Sequence, residues 1–356
     1  MVDREYDVVV VGGGPAGLTA ALYATRLGLD AALVDRGGGR AAMMQDTHNV
    51  IGVTEETSGM ELLRTATEQV AAYGADVHDG FVSAVRRAGA DGTDTRFHLE
   101  TGDATYAARR VVLATGFNDE RPDPPLPPTG RGLHWCLHCD AYMFVDEPVY
   151  VMGTRDSAAH VAMIMLNFTD DVDLLTRGAD PGWSDETDEL LANHPVDVVR
   201  AEVTGVTRGD DGWLESFEFA DGRVRAYRGG FPMYGSDYNT ELHEGLGCEL
   251  NDDGTVAVDD HGRTSVDGVY AVGDVTPGHN QIPTGMGEGA RAGIAVHMDL
   301  RPFPRSLDGI AERGAVDESD VPAVSPALLA TAVAHEGHAA GPRTAGDGSA
   351  GAAGDD

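Results

Sequence analysis

The sequence contains no lysine, so its 25 basic side chains are all arginine, and they face 59 acidic ones to give a formal net charge of −34. At about 1 M salt the Debye length is only ~3 Å, so a dense acidic surface hardly repels itself there. In dilute buffer the same charge destabilises the compact state. The composition resembles that of cytosolic proteins from extreme halophiles, haloarchaea included, although a merely acidic protein encoded by GC-rich DNA is the alternative. Such a surface argues against nucleic acids and anionic membranes as partners.

Cysteine is nearly as scarce, with three residues in 356, which excludes a disulfide-rich secreted scaffold. No apolar run reaches the roughly 18 residues of a membrane-spanning helix. The first apolar run leads directly into a glycine motif, so no signal peptide is expected. We therefore expect a cytoplasmic protein with no membrane partner, long enough for two domains.

The clearest pattern is a strand, a glycine-rich turn and a helix near the start of the chain. Val8–Val11 is a run of β-branched residues typical of a buried parallel strand. The turn Gly12–Gly17 follows, then a small-residue helix to about Leu27, then a second strand over Ala31–Val34 that ends at Asp35. This order predicts a βαβ unit that binds a dinucleotide.

Each glycine of the turn has a purpose in such a site. Gly12 permits the tight turn, Gly14 lets a pyrophosphate approach the backbone, and Gly17 lets the helix pack close to the sheet. The helix opens at Pro15-Ala16, and its N-terminus presents free N–H groups to phosphate. Asp35 follows Gly12 by 23 residues, close to the roughly 20 expected of an acid that binds ribose.

Further strands and helices alternate along the chain before its composition changes. The predicted elements are a capped helix over Gly59–Tyr73, a meander over Phe81–Ala108 with turns near residues 91 and 103, a strand over Val111–Ala114, a proline-rich link over Pro122–Pro128, strands over Val149–Met152, Val172–Thr176, Val196–Val199, Trp213–Phe219 and Val269–Val272, and helices over Asp156–Asn167, Ile282–Leu300 and Pro326–Ala334. From Ala339 onward Gly, Ala and Asp dominate and cannot bury a core, so we expect disorder there. His335 and His338, just before it, are read as solvated.

Two of the three cysteines lie close together as Cys136-Leu137-His138-Cys139. Thiols at this spacing form a disulfide that can open and close, and in a reducing cytosol such a pair is more often catalytic or metal-binding than structural. The thiolate is the reactive form, and a helix beginning within Trp135–Met143 would stabilise it. A cationic imidazole on His138 would add to that stabilisation.

The cysteines also allow other interpretations, a zinc site or a structural disulfide for the pair and a buried apolar role for Cys248. A zinc knuckle needs a second Cys or His pair, which His134 and Asp140 do not supply, so we expect no metal. A purely structural disulfide would gain little entropy from so short a loop. The third cysteine, Cys248, is expected to be a small buried hydrophobe.

Two further strand ends complete the pattern. Leu113-Ala114-Thr115-Gly116 closes one strand, and Val269–Asp274 closes another. With these motifs, residues 5–300 resemble the flavoproteins built from two dinucleotide-binding domains, and among them the low-molecular-weight thioredoxin reductases. The resemblance implies FAD as cofactor, a thioredoxin-like protein or a small dithiol as partner, and a homodimer.

The resemblance also implies where the flavin lies. Gly273-Asp274 would contact the ribityl chain and phosphate, and Asn280-Gln281-Ile282, which matches Arg-Gln-Ala in relatives, would place Gln281 and the next amide at the isoalloxazine ring. Gly38-Gly39-Arg40 matches a Gly-Gly-Gln turn, with Asn49 nine residues later. The predicted cofactor-binding residues are Gly12, Gly14, Pro15, Ala16, Gly17, Asp35, Arg36, Gly39, Arg40, Asn49, Ala114, Thr115, Gly116, Gly273, Asp274, Gln281 and Ile282.

The same resemblance implies the roles of the predicted catalytic residues. Cys139 would face the flavin, Cys136 would attack the partner, and Asp140 would move protons to and from the thiols. His138 completes this set.

The second nucleotide site departs from the family pattern. Its turn, Gly153-Thr154-Arg155-Asp156-Ser157-Ala158, carries Arg155 where relatives have glycine, and Arg177 alone remains of the arginines that bind the 2′-phosphate of NADPH. Either arginine could itself bind phosphate, so NADPH is possible but doubtful. The pattern is more similar to relatives that have lost NADPH, among them gliotoxin-type dithiol oxidases and ferredoxin-linked thioredoxin reductases.

We therefore predict an α/β fold of two Rossmann-like, three-layer ββα dinucleotide-binding domains, with the second inserted into the first. The predicted segments are 1–118 and 231–305 for the flavin domain, 119–230 for the inserted domain with the cysteine pair, and 306–356 for an acidic, largely disordered tail. The predicted function is FAD-dependent thiol–disulfide oxidoreduction. Alternatives are an NADPH-independent dithiol oxidase using oxygen, a ferredoxin-linked reductase, and a flavin-binding redox sensor without turnover.

Overall fold

The computed structural model of the protein describes residues 2–88, 96–121, 129–321 and 326–334. The predicted turn near residue 91, the proline-rich link, His335, His338 and the segment from Ala339 lie outside these ranges. Within them no helix is both long and apolar enough to cross a bilayer.

The first part of the chain forms most of a seven-stranded sheet. Its elements are β1 (Arg4–Val11), α1 (Pro15–Arg26), β2 (Ala31–Asp35), α2 (Gly59–Ala72), β3 (Asp76–Asp79), β4 (Ala84–Ala88), β5 (Arg96–Glu100), β6 (Thr105–Leu113) and β7 (Phe117–Asp119). The start of α2 follows its predicted cap, since the Glu61 amide donates to the Ser58 hydroxyl at 3.2 Å. The meander and the strand predicted after it share one continuous strand, β6, which pairs antiparallel with β5 at its start.

The second part of the chain forms a separate four-stranded parallel sheet and a three-stranded antiparallel one. Its elements are α3 (Leu137–Asp140), β8 (Val149–Met152), α4 (Asp156–Met165), β9 (Val172–Leu175), α5 (Asp185–Ala192), β10 (Asp197–Val199), β11 (Val203–Arg208), β12 (Leu214–Phe219), β13 (Val224–Ala226) and β14 (Gly229–Pro232). The parallel sheet has the order β10-β9-β8-β14, and the antiparallel one the order β11-β12-β13. Helix α4 is two residues shorter than predicted.

The chain then returns to the first sheet. The remaining elements are β15 (Ser236–Tyr238), α6 (Glu241–Leu246), β16 (Val269–Ala271), α7 (Ile282–Leu300), α8 (Leu307–Arg313) and α9 (Pro326–Ala334). The first sheet has the order β3-β2-β1-β6-β5-β4, and β16 pairs with β6 in parallel. The second domain is therefore inserted into the first, because β8 to β14 lie between β7 and β15 in the chain. These two short strands pair antiparallel where the chain leaves the first domain and returns to it.

Two predicted segment limits differ from the structure. The return to the first domain was expected at residue 231, but Phe231 lies inside β14 and is fully buried in the second core. The tail was expected from residue 306, but α8 begins at Leu307, and Arg305 forms an ion pair with Asp320 at 2.7 Å. Folded structure therefore continues into the predicted tail, up to α9, where the Thr331 hydroxyl donates to the Tyr73 carbonyl oxygen at 3.2 Å.

The register of the first sheet sets the position of the functional site. Val11 pairs with Val34 on one side and with Leu113 on the other, and Leu113 pairs with Ala271. The carboxyl ends of four parallel strands therefore meet at one edge, where ligands bind in open α/β sheets.

Helices α1 and α7 cover one face of this sheet at very short range. A Cβ added to Gly289 would lie 2.1 Å from the Ala16 carbonyl oxygen, and one added to Gly293 would lie 2.8 Å from the Ala20 oxygen. Only glycine fits at such a close approach of two backbones. The packing therefore fixes the position of α7 against the glycine turn.

Candidate active site

A cavity of about 540 Å³ opens at this sheet edge and has walls from both domains. It collects all of the predicted cofactor-binding and catalytic residues except two. Gly17 lies beneath the turn, where a Cβ would be 2.0 Å from the Gly12 carbonyl oxygen. His138 is exposed and faces His279 instead, with ring centroids 6.3 Å apart.

The glycine turn has the shape that a pyrophosphate needs. Gly12 has a φ of +106°, and a Cβ there would lie 2.3 Å from the Ala114 carbonyl oxygen. A Cβ on Gly14, in contrast, would meet nothing within 4 Å, so this residue faces open space at the start of α1. The Asp35 carboxylate accepts a hydrogen bond from the Gly13 amide at 2.9 Å and borders the same space. The turn therefore offers a phosphate both room and helix N–H donors.

A second turn, after β16, contributes the Asp274 carboxylate to the cavity, and Glu288 supports this turn from outside the cavity lining. The Gly273 amide donates to the Glu288 carboxylate at 2.8 Å. Burial raises the pKa of both Asp274 and Glu288, and the Arg40 charge partly opposes this for Asp274. The Asp274 carboxylate, which lines the cavity, is placed to accept hydrogen bonds from the hydroxyls of a ligand.

Arg40 connects the two domains across the mouth of the cavity. Its guanidinium forms an ion pair with Asp119 at 2.9 Å and donates to the Trp135 carbonyl oxygen at 3.3 Å. It also lies over the Phe117 ring, 4.7 Å from the centroid. The segment with the cysteine pair is thereby held against the first domain.

The cysteine pair is a disulfide that contacts two amide side chains of the first domain. The Asn49 amide donates to Cys139 Sγ at 3.4 Å, and Gln281 Oε1 lies 3.8 Å from the same sulfur. Gln281 Nε2 approaches Cys136 Sγ at 3.4 Å, and the two amides bond each other at 2.8 Å. The sulfurs thus lie beside the residues predicted to be at the flavin ring, and Cys139 contacts both amides whereas Cys136 contacts Gln281.

A helix begins at the disulfide, within the segment where one was predicted to start. Helix α3 covers four residues and is followed by a 3₁₀ turn over Ala141–Phe144. Cys136 caps α3, because its sulfur accepts a hydrogen bond from the Cys139 amide at 3.1 Å. Cys248 is buried, as expected, and burial raises the pKa of its thiol.

Known proteins share this arrangement along most of the chain. A family model described as pyridine nucleotide-disulphide oxidoreductase matches residues 6–289. The chain belongs to this family. A thioredoxin reductase from Peptoclostridium litorale is 30% identical to it over 82% of this chain and 96% of its own length.

Two crystal structures of similar proteins superpose over the full two-domain core. Thioredoxin reductase from Streptococcus pyogenes MGAS5005 has a TM-score of 0.76 at 31% identity and covers 84% of this chain and 99% of its own. The structure of HlmI has a TM-score of 0.77 at 32% identity and covers 86% and 94%. The predicted fold of two Rossmann-like domains is confirmed, and the chain is a thioredoxin reductase-like oxidoreductase.

Membership of the pyridine nucleotide-disulphide oxidoreductases implies FAD, and the residues present fit it. The open face of Gly14 would hold the pyrophosphate, Asp35 the ribose and Asp274 the ribityl hydroxyls. Bound there, the flavin supplies two-electron exchange with the neighbouring disulfide.

One site residue was not recognised from the sequence as functional. From the sequence, His134 is considered only as a zinc ligand, and no zinc site is expected. In the structure its Nδ1 donates to the Asp140 carboxylate at 2.8 Å. A six-residue spacing between His and Asp matches no sequence motif. The contact depends on how α3 packs against the segment before it, which contains His134.

The second glycine-containing turn, Gly153–Ala158, is built differently from the first. The exposed Arg155 side chain extends toward Gly235, whose added Cβ would lie 3.2 Å from its guanidinium. The Asp156 carboxylate accepts hydrogen bonds from Thr187, at 2.5 Å, and from Ser184, which together lower its pKa to about 2. This ties the start of α4 to the start of α5.

Proposed function

We propose that this protein passes two electrons between FAD and the Cys136–Cys139 disulfide, and that it oxidises a dithiol with little or no use of NADPH. The observation that carries the proposal is the contact of the disulfide with Asn49 and Gln281 inside the cavity of the glycine turn. Sulfurs at this place are in reach of a flavin bound along that turn.

The proposed half-reactions balance in thiols, protons and electrons. A substrate dithiol opens the Cys136–Cys139 bond, leaving a substrate disulfide and two enzyme thiols. The enzyme thiols then close again as two electrons and two protons leave through the flavin. With oxygen as the final acceptor the sum is dithiol plus oxygen to disulfide plus hydrogen peroxide.

The environment of each sulfur supports a division of roles. Cys139 contacts both amides, so it is assigned to the exchange with flavin, and Cys136 is assigned to the substrate. Asp140, which follows Cys139, is assigned to proton movement at the thiols. His138 is exposed on the outer side of α3, which suits a contact with the incoming partner rather than with the flavin.

Electrostatics at the second nucleotide turn supports the loss of NADPH. The first turn of α5 carries three acids, Asp185, Glu186 and Asp188. The Asp156 carboxylate stands at the N-terminus of α4, where a pyrophosphate would otherwise accept from the helix N–H groups. The four negative charges at the starts of α4 and α5 outnumber the two arginines of this site, Arg155 and Arg177, and so repel a ligand that itself carries phosphates.

The wider assignments rest on family resemblance and composition. A thioredoxin-like protein or a small dithiol is the proposed partner, and a cytoplasmic homodimer adapted to high salt is the proposed form. A ferredoxin-linked reductase and a redox sensor without turnover remain the competing functions.

An anaerobic titration tests the proposal. The flavoprotein is purified in high salt and treated with NADPH, NADH and a dithiol in separate cuvettes while the flavin absorbance is followed. We expect rapid bleaching by the dithiol alone, and hydrogen peroxide when air is admitted. Rapid bleaching by NADPH would overturn the loss of NADPH, and no bleaching by any of the three would favour the ferredoxin-linked or sensor functions.

A further inference from the structure

His134 is a buried imidazole directly behind the redox disulfide. Its ring is only 4% exposed, and its backbone amide donates to the Gly230 carbonyl oxygen at 2.9 Å, which anchors it to β14. Three aromatic rings surround it, with centroids 5.1 Å away for Phe144, 6.2 Å for Trp213 and 6.3 Å for Phe231. An ionisable ring is costly in such surroundings unless it has a partner.

The partner is the Asp140 carboxylate, and the geometry fixes the tautomer of the ring. Nδ1 lies 2.8 Å from Asp140 Oδ2. Nε2 is buried, and across the described ranges no hydrogen-bond partner reaches it. An ionised carboxylate is acceptor-only, so the single proton of a neutral ring belongs on Nδ1, where the bond is charge-assisted. Nε2 then keeps a bare lone pair against the aromatic rings.

The position of Asp140 depends on this one side-chain contact. Its backbone is fixed in α3, because its amide donates to the Cys136 carbonyl oxygen at 3.2 Å. Its carboxylate is free to rotate about the side-chain torsions except for the bond from His134. The aromatic rings give His134 no other polar group to turn toward, so the ring holds the carboxylate in one orientation next to Cys139.

We propose that His134 is a positioning residue that aims the Asp140 carboxylate at the disulfide. It rests on the proposed function, since Asp140 has a part only if the disulfide turns over. Among the described residues the His134 ring bonds Asp140 through Nδ1, its buried Nε2 has no hydrogen-bond partner, and neither nitrogen bonds a sulfur. Its effect on the thiols passes entirely through Asp140.

Two amide substitutions of equal polarity separate orientation from packing. His134→Asn places an amide nitrogen near the position of Nδ1, whereas His134→Gln places it near the position of Nε2, away from Asp140. The measured quantity is the rate at which dithiothreitol opens the Cys136–Cys139 bond, followed by quenching, alkylation and mass spectrometry of the trapped thiols. We expect His134→Asn to stay within about 3-fold of wild type and His134→Gln to be slower by about 10-fold or more, the loss expected when a charge-assisted hydrogen bond is removed.

A double-mutant cycle tests whether the effect passes through Asp140. In the Asp140→Asn background we expect His134→Gln to slow the reaction by less than about 2-fold further. Equal rates for the Asn and Gln variants, or the full 10-fold loss persisting without the Asp140 carboxylate, would overturn the inference. Thermal unfolding and flavin content show that each variant is folded, and His134→Phe replaces any amide variant that is not, with the same 10-fold loss expected.

Failure of the proposed function is visible in the same samples. If the disulfide opens at the expected rates in all variants but the flavin never bleaches, electron transfer to flavin is refuted while the orientation of Asp140 by His134 stands. If the flavin bleaches in every variant at the wild-type rate, the positioning by His134 is refuted and the proposed function stands.

Discussion

The two glycine-containing turns of this molecule, Gly12–Gly17 and Gly153–Ala158, have similar backbones but different side chains at the middle position. Each follows a buried parallel strand, begins with a glycine of positive φ, +106° at Gly12 and +147° at Gly153, and ends on a small residue against it. At the middle position, however, the first turn has Gly14 facing open space, and the second has Arg155. Both turns keep the first glycine and the final small residue, so the backbone of the turn forms whether the middle residue is Gly14 or Arg155.

The charges around the two turns differ as well. The first turn leaves the N-terminus of α1 open toward a cavity, whereas a carboxylate of the chain itself, Asp156, stands at the N-terminus of α4. The comparison teaches that a strand–turn–helix unit predicts a nucleotide fold, and that the middle residue and local charge decide whether a nucleotide binds.

The largest expected effect tests whether the cavity of the first turn is where the disulfide reacts. Cys139→Ser should retain FAD but slow bleaching of the flavin by a dithiol by at least about 1,000-fold, because a hydroxyl forms no disulfide with Cys136. Anaerobic stopped-flow absorbance measures this rate. Cys248→Ser, at a buried thiol outside the cavity, is the matched control and should leave the rate unchanged. Undiminished bleaching in Cys139→Ser would remove the disulfide from the electron path.

The next effect exchanges the character of the two turns. Gly14→Glu fills the open space with a charged side chain and should weaken FAD binding by at least about 100-fold, through bulk and repulsion of the pyrophosphate. The chain should stay folded, since nothing lies within 4 Å of the added Cβ. Flavin content after gel filtration is the measurement. Arg155→Gly, the reverse change in the second turn, should keep its full flavin content, and a flavin-replete Gly14→Glu would place the pyrophosphate elsewhere.

A third prediction separates the domains by acid sensitivity. His243 in α6 is fully buried in the first domain, and burial lowers its pKa to about 4. Its unfolded value is near 6.5, so between these values the unfolded chain binds the extra proton and stability falls as the pH falls. The free energy of unfolding should drop by up to about 3 kcal/mol from pH 7 to pH 4 on this account.

Flavin release on guanidinium titration in high salt reports this unfolding. His243→Met, of similar bulk and without a titrating group, should lose that part of the pH dependence. An identical pH slope in the variant would show that other groups account for it.

The smallest effect attempts to restore the second turn. Arg155→Gly combined with Asp185→Arg and Glu186→Arg opens the turn and makes the start of α5 basic. NADPH should then bleach the flavin about 10-fold faster than in the parent, since the glycine removes the bulk of Arg155 and the two new arginines replace acids with cations for phosphate. The charge change alone, Asp185→Arg with Glu186→Arg, is the control and should do less. A parent that already matches the triple variant would contradict the contrast between the turns.

The parts of the molecule predicted from sequence are those whose signal is local. The first βαβ unit is recognisable because Gly12–Gly17 follows a run of β-branched residues and leads into a small-residue helix and a second apolar strand, and the family model and crystal structures confirm the fold it implies. Helix α5 was missed, because its first turn is all polar or acidic and only Thr187 and Leu191 are buried, which leaves almost no apolar period to detect.

The parts that were not predicted depend on contacts distant in the chain. The strand Gly229–Pro232 reads as a return to the first domain until its partner Val149–Met152 is known. The bond between His134 and Asp140 likewise lies in a site walled by Phe144 and Phe231, whose packing no spacing rule contains.

The close contact between α1 and α7 affects the disulfide, although no residue of that contact touches a sulfur. Gly289 sits against the Ala16 oxygen, and Gln281 begins the same helix eight residues earlier, about 12 Å away along its axis. A methyl group added by Gly289→Ala would push α7 away from α1 and move the Gln281 amide away from both sulfurs. A single carbon atom added under the helix would thus be felt at the disulfide, without any atom of the reaction centre having been altered.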